Sequence, residues 1–255
     1  MIGVLAIQGA FREHVAALRD AGAAACEVRT VAELAAVDAL VIPGGESTTM
    51  RMGLERAGLT GPLRARLVAG MPALGTCAGL VVLARLGAPD VAPPPLGLLD
   101  VTVARNGFGR QPFSFETAVE VSQGVSGRVS DAGVVASTAQ TSHDETDIVV
   151  VAAGDQAVAS TTTMHGVFIR APRIESVGAG VEVIGRIAAG THSGEPVIVR
   201  QGLLVGCTFH PELTADRSLH RYFVRLVEAA IVAAPDPAID SDTMTTRQEA
   251  PHGWA

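Results

Sequence analysis

Basic charge is in short supply in this 255-residue chain: 19 Lys and Arg face 26 Asp and Glu, a formal charge of -7. No Lys/Arg cluster stands out, so a basic footprint for nucleic acid or for an anionic membrane surface is excluded. Cysteine is rare as well. Cys26, Cys77 and Cys207 are widely spaced and odd in number, which gives neither a disulfide framework nor a zinc site, and no metal is expected. No apolar run approaches the ~20 residues of a membrane-spanning helix. The first residues, Met1 to Gly9, lack a basic region and a cleavage site, so they are expected to be a first strand rather than a signal peptide. A reducing cytoplasm is the expected compartment. Aromatic residues make up only 4% of the chain, against 48% hydrophobic residues in all. The core must therefore be aliphatic and closely packed, which fits a globular α/β protein.

The first half alternates strands and helices. Apolar runs at Ile2–Ile7, Cys26–Arg29, Ala39–Ile42 and Ala73–Thr76 read as strands. Between them, Phe11, Val15 and Leu18 recur at helical spacing up to Gly22, and Thr30 with Glu33 has capping-box spacing. Further helices are expected from Ser47 to Gly58 and over Leu80–Leu86. Strand, helix, strand, helix with short connections predicts a three-layer α/β/α fold with a mostly parallel central sheet. Ligands in such sheets bind at the carboxyl ends of the strands. The second half is richer in strands, expected at Val101–Ala104, Val119–Val121, Val167–Arg170, Val181–Ile187, Val197–Arg200 and Leu203–Phe209. A last helix, from about Asp216, carries the apolar stripe Leu219, Phe223, Leu226, Val227 and Ala230. One domain is expected over 1–234. Residues 122–164, rich in Ser, Thr, Ala and Asp, read as an insertion, with a hairpin at Ile148–Ala153 and Gln156–Ser160. The tail 235–255 reads as disordered.

Three motifs carry chemistry. In Gly75-Thr76-Cys77-Ala78-Gly79 an apolar strand runs into Gly-x-Cys-x-Gly and then a helix, the layout of a nucleophile elbow with cysteine in place of serine. The helix N-terminus favours the thiolate, and the Ala78 N–H is aimed where an oxyanion would form. His210-Pro211-Glu212 follows an apolar strand. Pro211 biases His210 toward an extended conformation, so residues 210 and 212 project to one side and Glu212 can orient the imidazole. The six other histidines (His14, His143, His165, His192, His220 and His252) lack such a context and read as structural or solvated. Pro43-Gly44-Gly45-Glu46-Ser47 ends a strand and opens a helix. It is either an ordinary turn with Ser47 as N-cap, or a loop whose Gly45 N–H is a second oxyanion donor. Cys26 and Cys207, inside apolar runs, read as buried small hydrophobes.

Together these motifs resemble those of the class I glutamine amidotransferases, and more closely those of the glutaminase subunits of two-component pyridoxal 5'-phosphate synthases. The segments Gly3–His14, Pro43–Arg51, Gly75–Gly79, Arg105–Gln111, Gly166–Pro172 and Gly206–Thr214 match in family order. The resemblance implies a flavodoxin-like fold, a catalytic triad of Cys77, His210 and Glu212, an oxyanion hole at Gly45 and Ala78, and no cofactor. It implies a binding site for L-glutamine lined by Gly45, Glu46, Ser47, Arg105, Ile169 and Arg170. It also implies a partner, the barrel-shaped synthase subunit, which would receive the ammonia.

The chief departure is the stretch 122–164, where the family has a much shorter connection. The alternatives are a glutaminase subunit of another class I amidotransferase, such as one serving histidine biosynthesis, or a non-catalytic docking module of the same fold. A cysteine peptidase could share the elbow but not Pro-Gly-Gly-Glu-Ser with a distal His-Pro-Glu. The Arg105–Gln111 and Phe168–Pro172 patterns speak against the other amidotransferases, and the intact triad positions speak against the docking module.

Overall fold

The computed structural model describes residues 1–87, 93–109, 114–126 and 162–233. The hairpin expected at Ile148–Ser160, most of the 122–164 stretch and the tail 235–255 lie outside them.

The first half forms β1 (Ile2–Leu5), α1 (Phe11–Asp20), β2 (Ala25–Val28), α2 (Val31–Ala35), β3 (Ala39–Ile42), α3 (Ser47–Arg56), α4 (Thr60–Val68), β4 (Ala73–Thr76) and α5 (Ala78–Leu83). The expected capping box is present. The Thr30 side chain accepts from the Glu33 N–H, and the Glu33 carboxylate accepts from the Thr30 N–H. Two expectations are corrected. The N-cap of α3 is Glu46 rather than Ser47, because the longer carboxylate reaches the Thr48 and Thr49 N–H groups. Helix α5 ends at Leu83 rather than Leu86, since Arg85–Leu86 leaves it as a short strand, β5. Helix α4 was not expected. Its buried residues, Leu63 and Leu67, are too few to write a helical stripe into the sequence.

The second half contributes β6 (Val101–Ala104), β7 (Phe115–Val121), a four-residue helix α6 (Gln123–Ser126), β8 (Thr162–Phe168), β9 (Arg173–Val177), β10 (Glu182–Ile187), β11 (Pro196–Gln201), β12 (Leu204–Cys207) and α7 (Ser218–Ala233). Strand β9 was not expected. Strand β8 stops at Phe168 rather than Arg170, because Arg170 takes a left-handed φ of 47°.

Nine strands form one sheet in the order β2-β1-β3-β4-β12-β11-β10-β7-β8. The first five are parallel, and β11, β10, β7 and β8 extend the sheet by antiparallel pairing. Strands β5, β6 and β9 make a second, small sheet. Period-two alternation divides the core. Val4, Val41, Leu74 and Val205 face one side, where they meet Val15 and Leu18 of α1 and Leu219 and Phe223 of α7. Leu5, Leu40, Ile42 and Ala73 face the other, under Leu34, Met50, Leu54, Leu63 and Leu80 of helices α2 to α5. The three-layer α/β/α expectation is met. Among the described residues no helix is long and apolar enough to cross a membrane.

Candidate active site

Three neighbouring parallel strands, β3, β4 and β12, deliver the motif residues to one end of the sheet. Ile42 pairs with Gly75, and Thr76 pairs with Cys207. The next residues along each strand therefore emerge side by side at the carboxyl edge. Cys77 leaves β4 with φ 47° and ψ -102°, a left-handed conformation that side chains rarely adopt, and its N–H donates to the Cys207 carbonyl at 2.9 Å. Such strain persists only where the surroundings enforce it. Here they do so through two glycines. A Cβ on Gly79 would lie 1.9 Å from the Ile42 carbonyl oxygen, and one on Gly75 would lie 2.7 Å from the Gly79 backbone. Helix α5 can therefore sit directly against β3 and β4, with Cys77 raised between them.

His210 follows β12. Its Nδ1 is 2.8 Å from Glu212 Oε1, and both side chains are buried. The contact was expected from an extended chain, but the route differs. Pro211–Leu213 folds as a short 3-10 turn, and that turn swings Glu212 back under the imidazole. Cys77 lines the same cleft as the ring and acts on its proton affinity. Burial disfavours the charged ring. Interactions with Cys77 and Glu212 outweigh it and push the His210 pKa up to about 10. Burial likewise disfavours the Glu212 carboxylate, but His14 and His210 together hold its pKa well below the usual carboxylate range. Cys207, by contrast, is fully buried. Burial, reinforced by the Glu212 charge, pushes its thiol up, and the thiol donates to the Phe209 carbonyl at 3.4 Å. Cys207 thus stays a protonated core residue, as expected, whereas Cys26 is only half-buried.

Above Cys77 lies a cleft of about 190 Å³. Every residue expected to bind substrate lines it: Gly45, Glu46, Ser47, Arg105, Ile169 and Arg170, along with Cys77, Ala78 and His210. Asn106, Pro172 and Val81, which were not expected, complete the wall. The Cys77 sulfur is 4.0 Å from the Ile169 carbonyl oxygen. Arg105 arrives from the end of β6 and pairs with the Glu46 carboxylate at 3.1 Å. That carboxylate also accepts from Thr49 N–H at 2.6 Å and Thr48 N–H at 3.1 Å. Its burial is slight, and these backbone donors hold its pKa down.

Sequence reasoning did not find how the glycine loop is held. The Glu46 N–H donates to Gln8 Oε1 at 2.8 Å, and the Ala10 N–H donates to the Gly44 carbonyl at 3.1 Å. Gly44 has no room for a side chain, because a Cβ would lie 2.3 Å from His210 Cε1. Nor did it place His14 and His220. Both are fully buried, and they meet beneath Glu212 at 3.0 Å. A signal was available in each case, a polar residue on the apolar face of a helix, His14 beside Val15 and Leu18 and His220 beside Leu219 and Phe223.

The sequence matches the SNO glutamine amidotransferase family over residues 4–162 and 139–229, two spans that overlap within the 122–164 stretch. It is 48% identical over 230 residues to the pyridoxal 5'-phosphate synthase subunit PdxT of Acidothermus cellulolyticus, covering 89% of this chain and 94% of that one. It is likewise 48% identical over 227 residues to the PdxT of Mycolicibacterium vanbaalenii, covering 88% and 95%. Among solved structures, a glutamine amidotransferase superposes with a TM-score of 0.68 at 38% identity, over 89% of this chain and 98% of that one. PurLQS from Thermotoga maritima superposes with a TM-score of 0.57 at 13% identity, over 90% and 97% of the two chains, which speaks to the fold alone. The chain belongs to the SNO glutamine amidotransferase family.

Proposed function

We propose that the chain is the glutaminase subunit of a pyridoxal 5'-phosphate synthase, and that Cys77, His210 and Glu212 hydrolyse L-glutamine in the cleft. The observation that carries the chemistry is the Cys77 elbow, which opens on the same cleft as His210 while Glu212 holds the imidazole Nδ1 at 2.8 Å. The identity to PdxT subunits supports the pathway.

In this mechanism the Cys77 thiolate attacks the side-chain carboxamide carbon, forming a C–S bond and an oxyanion. The Gly45 and Ala78 N–H groups stabilise that charge, a role that asks for donors fixed in advance. As the C–N bond breaks, His210 gives its proton to the nitrogen, and ammonia leaves a glutamyl thioester. His210 then takes a proton from water, the hydroxide attacks the thioester, and glutamate departs with Cys77 regenerated. Glu212 keeps the imidazole in one orientation and stabilises its charged form. Arg105 offers a guanidinium to the substrate carboxylate and Glu46 a carboxylate to its ammonium, with Ser47, Ile169 and Arg170 completing the site. The ammonia passes to a barrel-shaped synthase subunit, and the cytoplasm, which keeps the three free cysteines reduced, is the compartment.

The test is glutamate release from glutamine, with and without the synthase subunit. Cys77-dependent release that rises with the partner is expected, and Cys77→Ala should abolish it while leaving the fold intact. Full activity in that variant would sink the mechanism. Release that ignores the synthase would move the chain to another amidotransferase.

A further inference from the structure

Beneath the proposed triad lies a buried polar array that the reaction as described does not use. Glu212 has two carboxylate oxygens. Oε1 is held by His210, and Oε2 is sealed from solvent with His14 Nε2 3.2 Å away. The same His14 nitrogen is 3.0 Å from Thr76 Oγ1 and is better aimed there, so it hydrogen-bonds the hydroxyl while it lies at ion-pair distance from the carboxylate. Thr76 directly precedes Cys77 in the chain. One ring nitrogen therefore touches both the carboxylate that orients the base and the residue that anchors the nucleophile. The other, His14 Nδ1, is 3.0 Å from His220 Nε2. All four side chains lie out of contact with water.

Glu212 Oε2 calls for a proton on His14 Nε2, and a further proton lies between His14 Nδ1 and His220 Nε2. His220 Nδ1 has no protein partner. The array thus runs from His220 through His14 to Glu212 and so to His210. A buried carboxylate with one oxygen unsupported is strongly penalised. Without His14, Glu212 could turn or gain a proton, and in either case it would release His210.

We propose that His14 is a positioning residue for the triad, holding Glu212 and Thr76 with one ring nitrogen while His220 fixes its ring. The inference rests on the reading of Cys77, His210 and Glu212 as the hydrolytic triad.

The experiment compares His14→Leu, His14→Gln and His14→Asn by glutamate release in the presence of the synthase subunit. The rate at which iodoacetamide alkylates Cys77, followed on its peptide by mass spectrometry, is measured in parallel. Leucine fills the space without a donor, and glutamine can place its amide N–H where Nε2 stood. Asparagine is too short and reaches only toward His220. For His14→Leu a fall in kcat of about 10- to 100-fold is expected, with KM for glutamine changed little and Cys77 alkylation slowed. His14→Gln should recover most of both rates, and His14→Asn should not. Should His14→Leu fail to fold, the contrast between glutamine and asparagine decides. Equal rates in those two variants, or a loss confined to KM, would overturn the inference. If the unaltered protein releases no glutamate, the hydrolytic reading fails, and the alkylation rates still test whether His14 supports Cys77 through His210.

Discussion

Each ionisable group in the site is set by what surrounds it, and the neighbours push in opposite directions. His210 gains proton affinity because Cys77 and Glu212 outweigh its burial. His220, at the other end of the same array, meets His14 rather than an anion. Burial, reinforced by the neighbouring His14, brings its pKa down to about 3. This has a consequence for stability. In the unfolded chain His220 takes up its proton near 6.5, so its share of stability is complete above that pH and is lost as pH falls toward 3. Glu212, whose pKa is lowered from 4.5, acts in the same sense but only below that value. His210, raised to about 10, acts in the opposite sense, above pH 6.5. Between pH 6.5 and 4.5, then, His220 is the separable contributor among these three. Chemical denaturation across that window should show His220→Gln losing less stability than the unaltered protein, by up to about 2 kcal/mol. Parallel curves would mean that the folded protein protonates His220 without penalty.

Single elements meet at the elbow with almost no free space. Helix α5 is tied to β4 by backbone contact at Gly75 and Gly79, whereas Gly61, near the start of α4, has nothing within 4 Å of where a Cβ would be. The two sites should respond oppositely to alanine. Gly79→Ala drives a methyl group into the Ile42 carbonyl and should lower stability by about 1–3 kcal/mol or more, with activity falling as Cys77 shifts. Gly61→Ala has ordinary helical backbone and open space, and should raise stability by about 0.4–1 kcal/mol by restricting the unfolded chain. Thermal melts of the two variants check both signs. Equal effects would show that space, rather than backbone freedom, was misjudged as the deciding factor at Gly79.

At the scale of the whole molecule, the stretch between β7 and β8 joins two antiparallel strands at the edge of the sheet, with Val121 opposite Thr162. A chain that leaves and re-enters at one edge can change length without altering the layers. We propose that it is an insertion within a single domain. Replacing residues 127–161 with a linker of about eight Gly and Ser residues is expected to preserve the fold and leave glutamate release within about twofold. A large loss of activity with an intact melt would give the stretch a role at Ile169 and Arg170, which follow β8, or in docking.

Much of this was written locally. Glycine spacing around Cys77, the Thr30 capping box and the aliphatic runs of β3 and β4 are short-range constraints, so the sequence by itself determined the parallel half of the sheet, the elbow and the pairing of His210 with Glu212. Tertiary structure alone decided the rest. Arg105 follows a strand of the small sheet and Ile169 follows the far edge strand, yet both reach the cleft, drawn in by contacts such as His210 N–H to the Val167 carbonyl at 2.9 Å. Gln8 beneath the glycine loop and His14 beneath Glu212 come from the first turn of the fold and meet partners 38 and 198 residues away in the chain. Nothing in local spacing encodes such meetings, because they depend on the order in which strands lie in the sheet, and that order is set by how the layers bury their apolar faces.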